Sequence, residues 1–230
     1  MKEMISNSLF FGPAVSLAAY EIGLIIKKKY KLAILNPLLL ATVIVMGVLC
    51  ITKIEYEHYN ESAKYLSYFL TPATVALAVP LYEQLSLLKE HFTAVISGII
   101  SGVLASLLSV LFLAALFGLD HQQYVTLLPK SITTAIGMGV SEELGGIVTI
   151  TVAVIIITGI LGGILADVVY KLFRIREPVA KGLALGTASH AIGTAKAMEL
   201  GEIEGAMSSL AIAVAGLLTV VGASVFAQFM

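Results

Sequence analysis

"PKSITTAIGMGVSEELGG", residues 129–146, is the stretch on which the reading of this chain turns. It holds a proline, a lysine, four glycines, four hydroxyl side chains and the adjacent carboxylates Glu142 and Glu143. An uncharged apolar run, residues 147–166, follows it directly. Polar, breakable backbone survives at membrane depth only where protein or a water-filled cavity satisfies it. The stretch is therefore either an opened membrane segment lining a cavity or an interfacial loop with solvated carboxylates.

Composition sets the frame. Of 230 residues, 58% are hydrophobic and 13% charged, and mean hydropathy is +0.97. A soluble domain carries about a quarter charged residues, so this chain reads as an integral membrane protein. Net charge is −1 and the only basic tract is short, which argues against nucleic acid as a partner. The single Cys50 cannot form an internal disulfide. Near the N-terminus, an apolar stretch (residues 4–26) precedes the basic cluster "KKKYK". A cleavable signal carries its charge in front, so this stretch is expected to be a retained span with its C-terminal end in the cytoplasm.

A membrane helix needs about 20 apolar residues. Residues 4–26, 32–52, 93–118, 147–166 and 206–230 meet that need, while 65–82, 129–145 and 182–195 are apolar but interrupted. The expected fold is an all-α polytopic membrane protein of seven or eight segments, forming one domain over 1–230. "TVALAVPLYEQL" (74–85) aligns without gaps on "TTAIGMGVSEEL" (133–144), and both follow a proline and precede a long span. Paired interrupted segments in two halves point to a transporter built from inverted repeats. Breaks are then expected at Pro72 and Pro80 in one copy and at Gly137 and Gly139 in the other, giving discontinuous or re-entrant helices. Topology pulls the other way. Cytoplasmic placement of both 27–31 and 171–181 demands an even number of crossings between them, so only one of the two copies can cross.

Two stretches carry candidate chemistry. In the first, Ser131, Thr133 and Thr134 offer hydroxyls and Lys130 a positive charge, as an anion site would require. In the second, "KGLALGTASHAIGTAKAMELGEIEG" (181–205), Gly182 and Gly186 suit close helix packing. Ser189, His190 and Thr194 supply polar groups there, with His190 and Thr194 on one helix face. Ionisable groups within a span mark function by default, although His190 also reads as a hydrogen-bonded packing residue. Adjacent carboxylates repel, so Glu142, Glu143 and His190 are the candidates for proton coupling. No zinc pair, nucleophile elbow or phosphate loop is present, and no enzymatic role, metal or cofactor is expected.

The run "NPLLLATV", "LTPATVALAVPLYEQ", "LPKSITTAIGMGVSEELGG" and "GTASHAIGTAKAMELGEIEGAMSSLAI" resembles the LrgB/CidB family of bacterial membrane proteins over nearly the whole chain. The resemblance implies a multi-pass protein of the bacterial plasma membrane with a transporter-like inverted-repeat fold. It also implies two functions. One is a carrier of small monocarboxylates (glycolate, glycerate or pyruvate), proton-linked. The other is an antiholin-like or holin-like component that modulates murein hydrolase activity and cell lysis with a small LrgA/CidA-type membrane partner. Self-association stays open. A holin-like role has no need of an opened polar segment or a buried histidine, so the residues themselves favour the carrier.

Overall fold

The computed structural model describes residues 8–30, 35–69 and 85–230, together with Pro72, Val75, Ala76, Val79 and Tyr82. The described residues are helical or connecting, with no strand. The chain divides into two compact units, Met1–Ala76 and Leu77–Met230.

In the first unit lie α1 (Phe11–Tyr30), α2 (Pro37–Thr52) and α3 (Tyr56–Ser67). Helix α1 runs on through the three lysines of its last turn, where cations oppose the helix dipole favourably. Asn36 caps α2 by accepting from the Leu38 and Leu39 amides at 2.9 and 3.3 Å, with Pro37 at the first helical position. At 16 residues, α2 is about 24 Å long, short of the roughly 30 Å hydrocarbon core. Its Cys50 is exposed. Helix α3 ties to α1 through Ser62, whose hydroxyl accepts from the Gly12 amide at 2.8 Å, and through the 2.7 Å contact between the Ser16 and Tyr59 hydroxyls. Pro72 is helical and exposed, while Pro80 lies outside the described residues.

The second unit contains α4 (Leu85–Glu90), α5 (Phe92–Phe117), α6 (His121–Leu127), α7 (Thr134–Glu143), α8 (Val148–Leu172), α9 (Pro178–Leu200) and α10 (Glu202–Phe226), closed by a 3₁₀ turn, Ala227–Phe229. Among the described residues, three helical stretches are long and apolar enough to cross a membrane: Phe92–Phe117, Val148–Leu172 and Glu202–Phe229. Their outward faces carry Leu104, Leu108 and Phe112 on α5, Ile157 and Leu165 on α8, and Leu217 and Val221 on α10. The inner faces of α5 and α10 form a common core in which Ile99, Val103 and Leu107 join Tyr124 of α6 and Met207, Ala211 and Ala215.

The spans alternate with two helical hairpins. Helices α6 and α7 fold back on each other. Gln122 donates to the Gly145 carbonyl at 3.3 Å, Thr126 accepts from the Ile147 amide at 2.8 Å, and a Cβ on Gly137 would lie 3.5 Å from the Pro129 carbonyl oxygen. Asp120 and Gln123 cap each other reciprocally at the base of α6, satisfying two orphan amides. The turn at residues 128–133 is the tip.

Helix α9 is the second hairpin. His190, at φ 42 and ψ −138, breaks it into arms 178–189 and 191–200. Both arms pack on the same stretch of α10: Gly182 and Gly186 meet Glu204 and Ser208 from one side, and Thr194 and Met198 meet Ser208 and Gly205 from the other. A straight helix cannot do this. The sequence placed the interruptions at Gly137 and Gly139, but both sit inside the continuous helix α7. A Cβ on Gly137 would collide with Ile155, so this glycine serves close packing against α8 rather than a break. The interruption falls at a histidine, where no glycine or proline announces it. The repeat partner expected at residues 74–85 lies mostly outside the described residues; among those described, α9 is the second segment that reverses.

The two hairpins enter from opposite ends. The α6–α7 base lies beside the end of α5 and the start of α8, where His121 Nδ1 is 2.6 Å from the Met230 carbonyl and Tyr124 donates to the Phe226 carbonyl at 2.9 Å. The α9 base follows α8 and precedes α10, with the Tyr170 hydroxyl donating to the Lys181 carbonyl at 2.9 Å. Lys171, Arg174, Arg176 and Lys181 flank the α9 end together with Glu177, Glu199 and Glu202, while the other end carries Asp120, Glu142 and Glu143 and, among the described residues, no Lys or Arg.

Candidate functional site

The hairpin tips approach each other against the middle of α5. Lys130 and Ser131, at the tip of α6–α7, reach Ser106: the Lys130 ammonium donates to the Ser106 and Ser131 hydroxyls at 3.2 and 3.1 Å, and those two hydroxyls are 3.0 Å apart. Thr187, just before the tip of α9, lies against Gly102, where an added Cβ would come 2.7 Å from its methyl. Gly102 and Ser106 are one helical turn apart, about 6 Å along α5. Such an approach of two hairpins requires small residues on the span between them, and Ala94, Gly98, Gly102 and Ala105 supply that face.

Between α5, α8 and the first arm of α9 lies a cavity of about 1000 Å³. His91, Glu177 and Val179 line it at the α9 base, Leu161, Leu183 and Ala184 along its walls, and Lys130, Ser106, Ser131, Thr187 and Ser189 at the hairpin tips. Among the described residues no carboxylate pairs with Lys130. The Thr187 hydroxyl is buried, with the residue 6% exposed, and it has no hydrogen-bond partner among the described residues.

Of the residues singled out in the sequence, the cavity brings together Lys130, Ser131 and Ser189. Thr133 is the N-terminal cap residue of α7 and Thr134 its first residue; both are half-buried and neither lines the cavity. His190 is 3% exposed and faces away from the cavity, its Nε2–H donating to the Ile155 carbonyl at 3.0 Å. A carbonyl only accepts, so Nε2 carries the proton. Thr194 donates to the His190 carbonyl at 3.1 Å and its hydroxyl lies 2.7 Å from that of Ser208. Glu142 and Glu143 are exposed near the base of their hairpin, remote in sequence from its tip. Lys196, on the returning arm of α9, pairs with Glu199 at 3.8 Å, as the three-residue spacing predicts, and also with Asp167 at 3.3 Å. Ser106 and Thr187 escaped the sequence reading. A lone serine within an apolar span carries no distinguishing signal, because spans tolerate hydroxyls bonded to their own backbone.

Apolar spans, internally satisfied backbone and outward aliphatic faces define an all-helical, membrane-embedded protein. The LrgB-like family model matches residues 16–229, and the chain belongs to that family. It is 41% identical over 221 residues to Antiholin-like protein LrgB of Bacillus cereus strain B4264, and equally to the protein of that name from Bacillus anthracis strain CDC 684 / NRRL 3495. Each alignment covers 96% of this chain and 96% of the relative. No solved structure matches the chain.

Proposed function

We propose that this protein is an antiholin-like component of the bacterial plasma membrane, acting as one integral membrane domain with a small LrgA/CidA-type membrane partner to restrain murein hydrolase activity and lysis. The observation that carries this reading is the near full-length similarity to proteins named antiholin-like. The relatives' names speak for this role and not for carriage. The test is deletion of the gene, alone and with that of the partner, followed by autolysis rate and zymography of murein hydrolases. Faster lysis in the deletions, returned to the parental rate by the plasmid-borne chain, is the expected outcome. Unchanged lysis and hydrolase patterns in both deletions exclude it.

One structural observation favours a second reading. Two hairpins entering from opposite ends and meeting beside a cavity with an unpaired lysine form the kind of midplane site on which inverted-repeat carriers are built. In this reading the hairpins are re-entrant, the cargo is a small monocarboxylate, and a lysis phenotype follows from altered acid flux. Proton coupling through Glu142, Glu143 or His190 belongs to the same reading. Uptake of labelled glycolate, glycerate or pyruvate into proteoliposomes, with and without an imposed pH gradient, tests it. Absence of uptake with and without the small partner removes it and leaves the first reading standing.

A further inference from the structure

We infer that Ser106 and Lys130 form a serine–lysine acyl-transfer site at the hairpin tips, a nucleophile and its base that hydrolyse carboxylic esters with apolar acyl groups. This activity is separate from lysis control and from carriage. Geometry points to it first. The Lys130 nitrogen lies 3.2 Å from the Ser106 hydroxyl and 3.1 Å from that of Ser131, and the two hydroxyls are 3.0 Å apart. A base takes a proton from a nucleophile over such distances. Ser106 also differs from the other serines of its helix. Ser97, Ser101 and Ser109 donate to backbone carbonyls three or four residues earlier, as hydroxyls within spans commonly do. The Ser106 hydroxyl turns instead to Lys130 and Ser131. Ser131 is 7% exposed, whereas Ser106 is half-buried and lines the cavity, which leaves Ser106 the more open to an incoming carbonyl.

An amine activates a serine in its neutral form. Half-buried and with no carboxylate partner among the described residues, Lys130 is placed as general-base lysines are. The other titratable groups lining the cavity, His91 and Glu177, lie at the α9 base. The Thr187 hydroxyl is buried, has no partner among the described residues and lines the same cavity one turn along α5 from Ser106. A donor beside the nucleophile stabilises the oxyanion of acyl transfer. In the first step the Ser106 oxygen bonds to the acyl carbon while its proton passes to the Lys130 nitrogen, and the carbonyl oxygen takes up the negative charge facing Thr187. Collapse of this intermediate breaks the ester C–O bond, and the alcohol leaves with the proton from Lys130. Water, deprotonated by Lys130 in turn, then cleaves the acyl-serine, releasing the acid and restoring the Ser106 hydroxyl. Ala105, Leu161, Leu183 and Ala184 supply an apolar wall for the acyl chain.

The test treats the detergent-purified full-length chain with an alkyl fluorophosphonate, which phosphonylates activated serines with loss of fluoride, and locates the adduct by peptide mass spectrometry. Hydrolysis of p-nitrophenyl hexanoate is followed in parallel. One phosphonyl group, on Ser106, is the expected result. Ser106→Ala should abolish the adduct and lower enzymatic turnover at least a hundredfold. Lys130→Arg should lower it about a hundredfold or more, since a guanidinium keeps its charge but cannot take the proton. Thr187→Val should slow it about a hundredfold. Ser101→Ala, whose hydroxyl bonds only its own helix, should keep the wild-type rate. Size-exclusion profiles identify variants that fold. If Ser106→Ala or Lys130→Arg does not fold, the position of the adduct on the unaltered chain decides the matter. Absence of an adduct, an adduct on any residue other than Ser106, or wild-type turnover in a folded Ser106→Ala overturns the site. None of these results bears on the lysis and uptake experiments, so the site fails or stands apart from both readings of function.

Discussion

His190 is held at φ 42 and ψ −138, a conformation that side chains with a Cβ rarely adopt. Such strain costs on the order of 1–3 kcal/mol and persists where surroundings over-determine it. Here the bond to the Ile155 carbonyl and the packing of the ring against Gly159 do so. Two substitutions separate strain from bonding. Both His190→Ala and His190→Gly lose the hydrogen bond, but glycine relieves the strain and alanine keeps it. His190→Ala is expected to be the less stable by about 1–2 kcal/mol, read from thermal unfolding in detergent. Equal stabilities would mean that the tip bears no strain. The buried hydroxyl pair Thr194–Ser208 offers a second test at this scale. Thr194→Val strands the Ser208 hydroxyl at a cost of about 1–3 kcal/mol, whereas Ser208→Ala should cost less, because Thr194 still donates to the His190 carbonyl. The double variant Thr194→Val with Ser208→Ala should cost less than the sum of the singles; strict additivity would show that the two hydroxyls do not interact.

At the scale of elements, the glycines divide by what they face. Gly186 packs on α10, where an added Cβ would come 2.7 Å from the Ala211 Cβ and would press on the Ser208 backbone. Gly186→Ala should therefore destabilise by about 1–3 kcal/mol. Gly139 is exposed within α7, with open space at its Cβ position. Gly139→Ala should be neutral or stabilise by up to about 1 kcal/mol, since alanine restricts the unfolded chain and favours helix. A melting-temperature comparison of the two variants checks both signs. The same division explains why the sequence pattern misplaced the break in α7. Glycine marks bending and close approach alike, and the packing partner that distinguishes them belongs to another helix. Gly162 follows the rule, since its missing side chain makes room for the Ser189 hydroxyl at the tip of α9.

At the scale of the molecule, the lysines and arginines of the second unit, apart from Lys130 at a hairpin tip, gather toward the α9 end, and the two hairpins emerge from opposite ends. Positive residues near span ends face the cytoplasm. The α9 base, with Lys171, Arg174 and Arg176, is therefore expected inside, and the α6–α7 base, with Glu142 and Glu143, outside. In a Cys50→Ser background, a cysteine at Arg174 should react with an impermeant maleimide only in inverted vesicles, and one at Glu143 only in intact cells. Labelling of both from the same side would refute the opposed entry of the hairpins. With the α9 base inside, the cavity, whose mouth is lined by His91 and Glu177, is expected to open toward the cytoplasm.

Membrane class, the three long spans and the close packing around Gly182 and Gly186 were legible in the sequence. They depend on hydropathy over a helix length and on local spacing, which the chain carries within itself. The polar character of residues 129–146 was equally plain, and Ser131 and Ser189 do meet at one cavity. What only the tertiary structure decided was where the chain reverses and which polar groups are left without partners. The reversal at His190 follows from contacts on α8 and α10, more than ten residues away in the chain. Among the described residues Lys130 has no carboxylate partner, because α5 presents Ser106 to it rather than an acid. Solvation and pairing depend on the groups a fold gathers around a side chain, and the order of residues along one segment does not specify them.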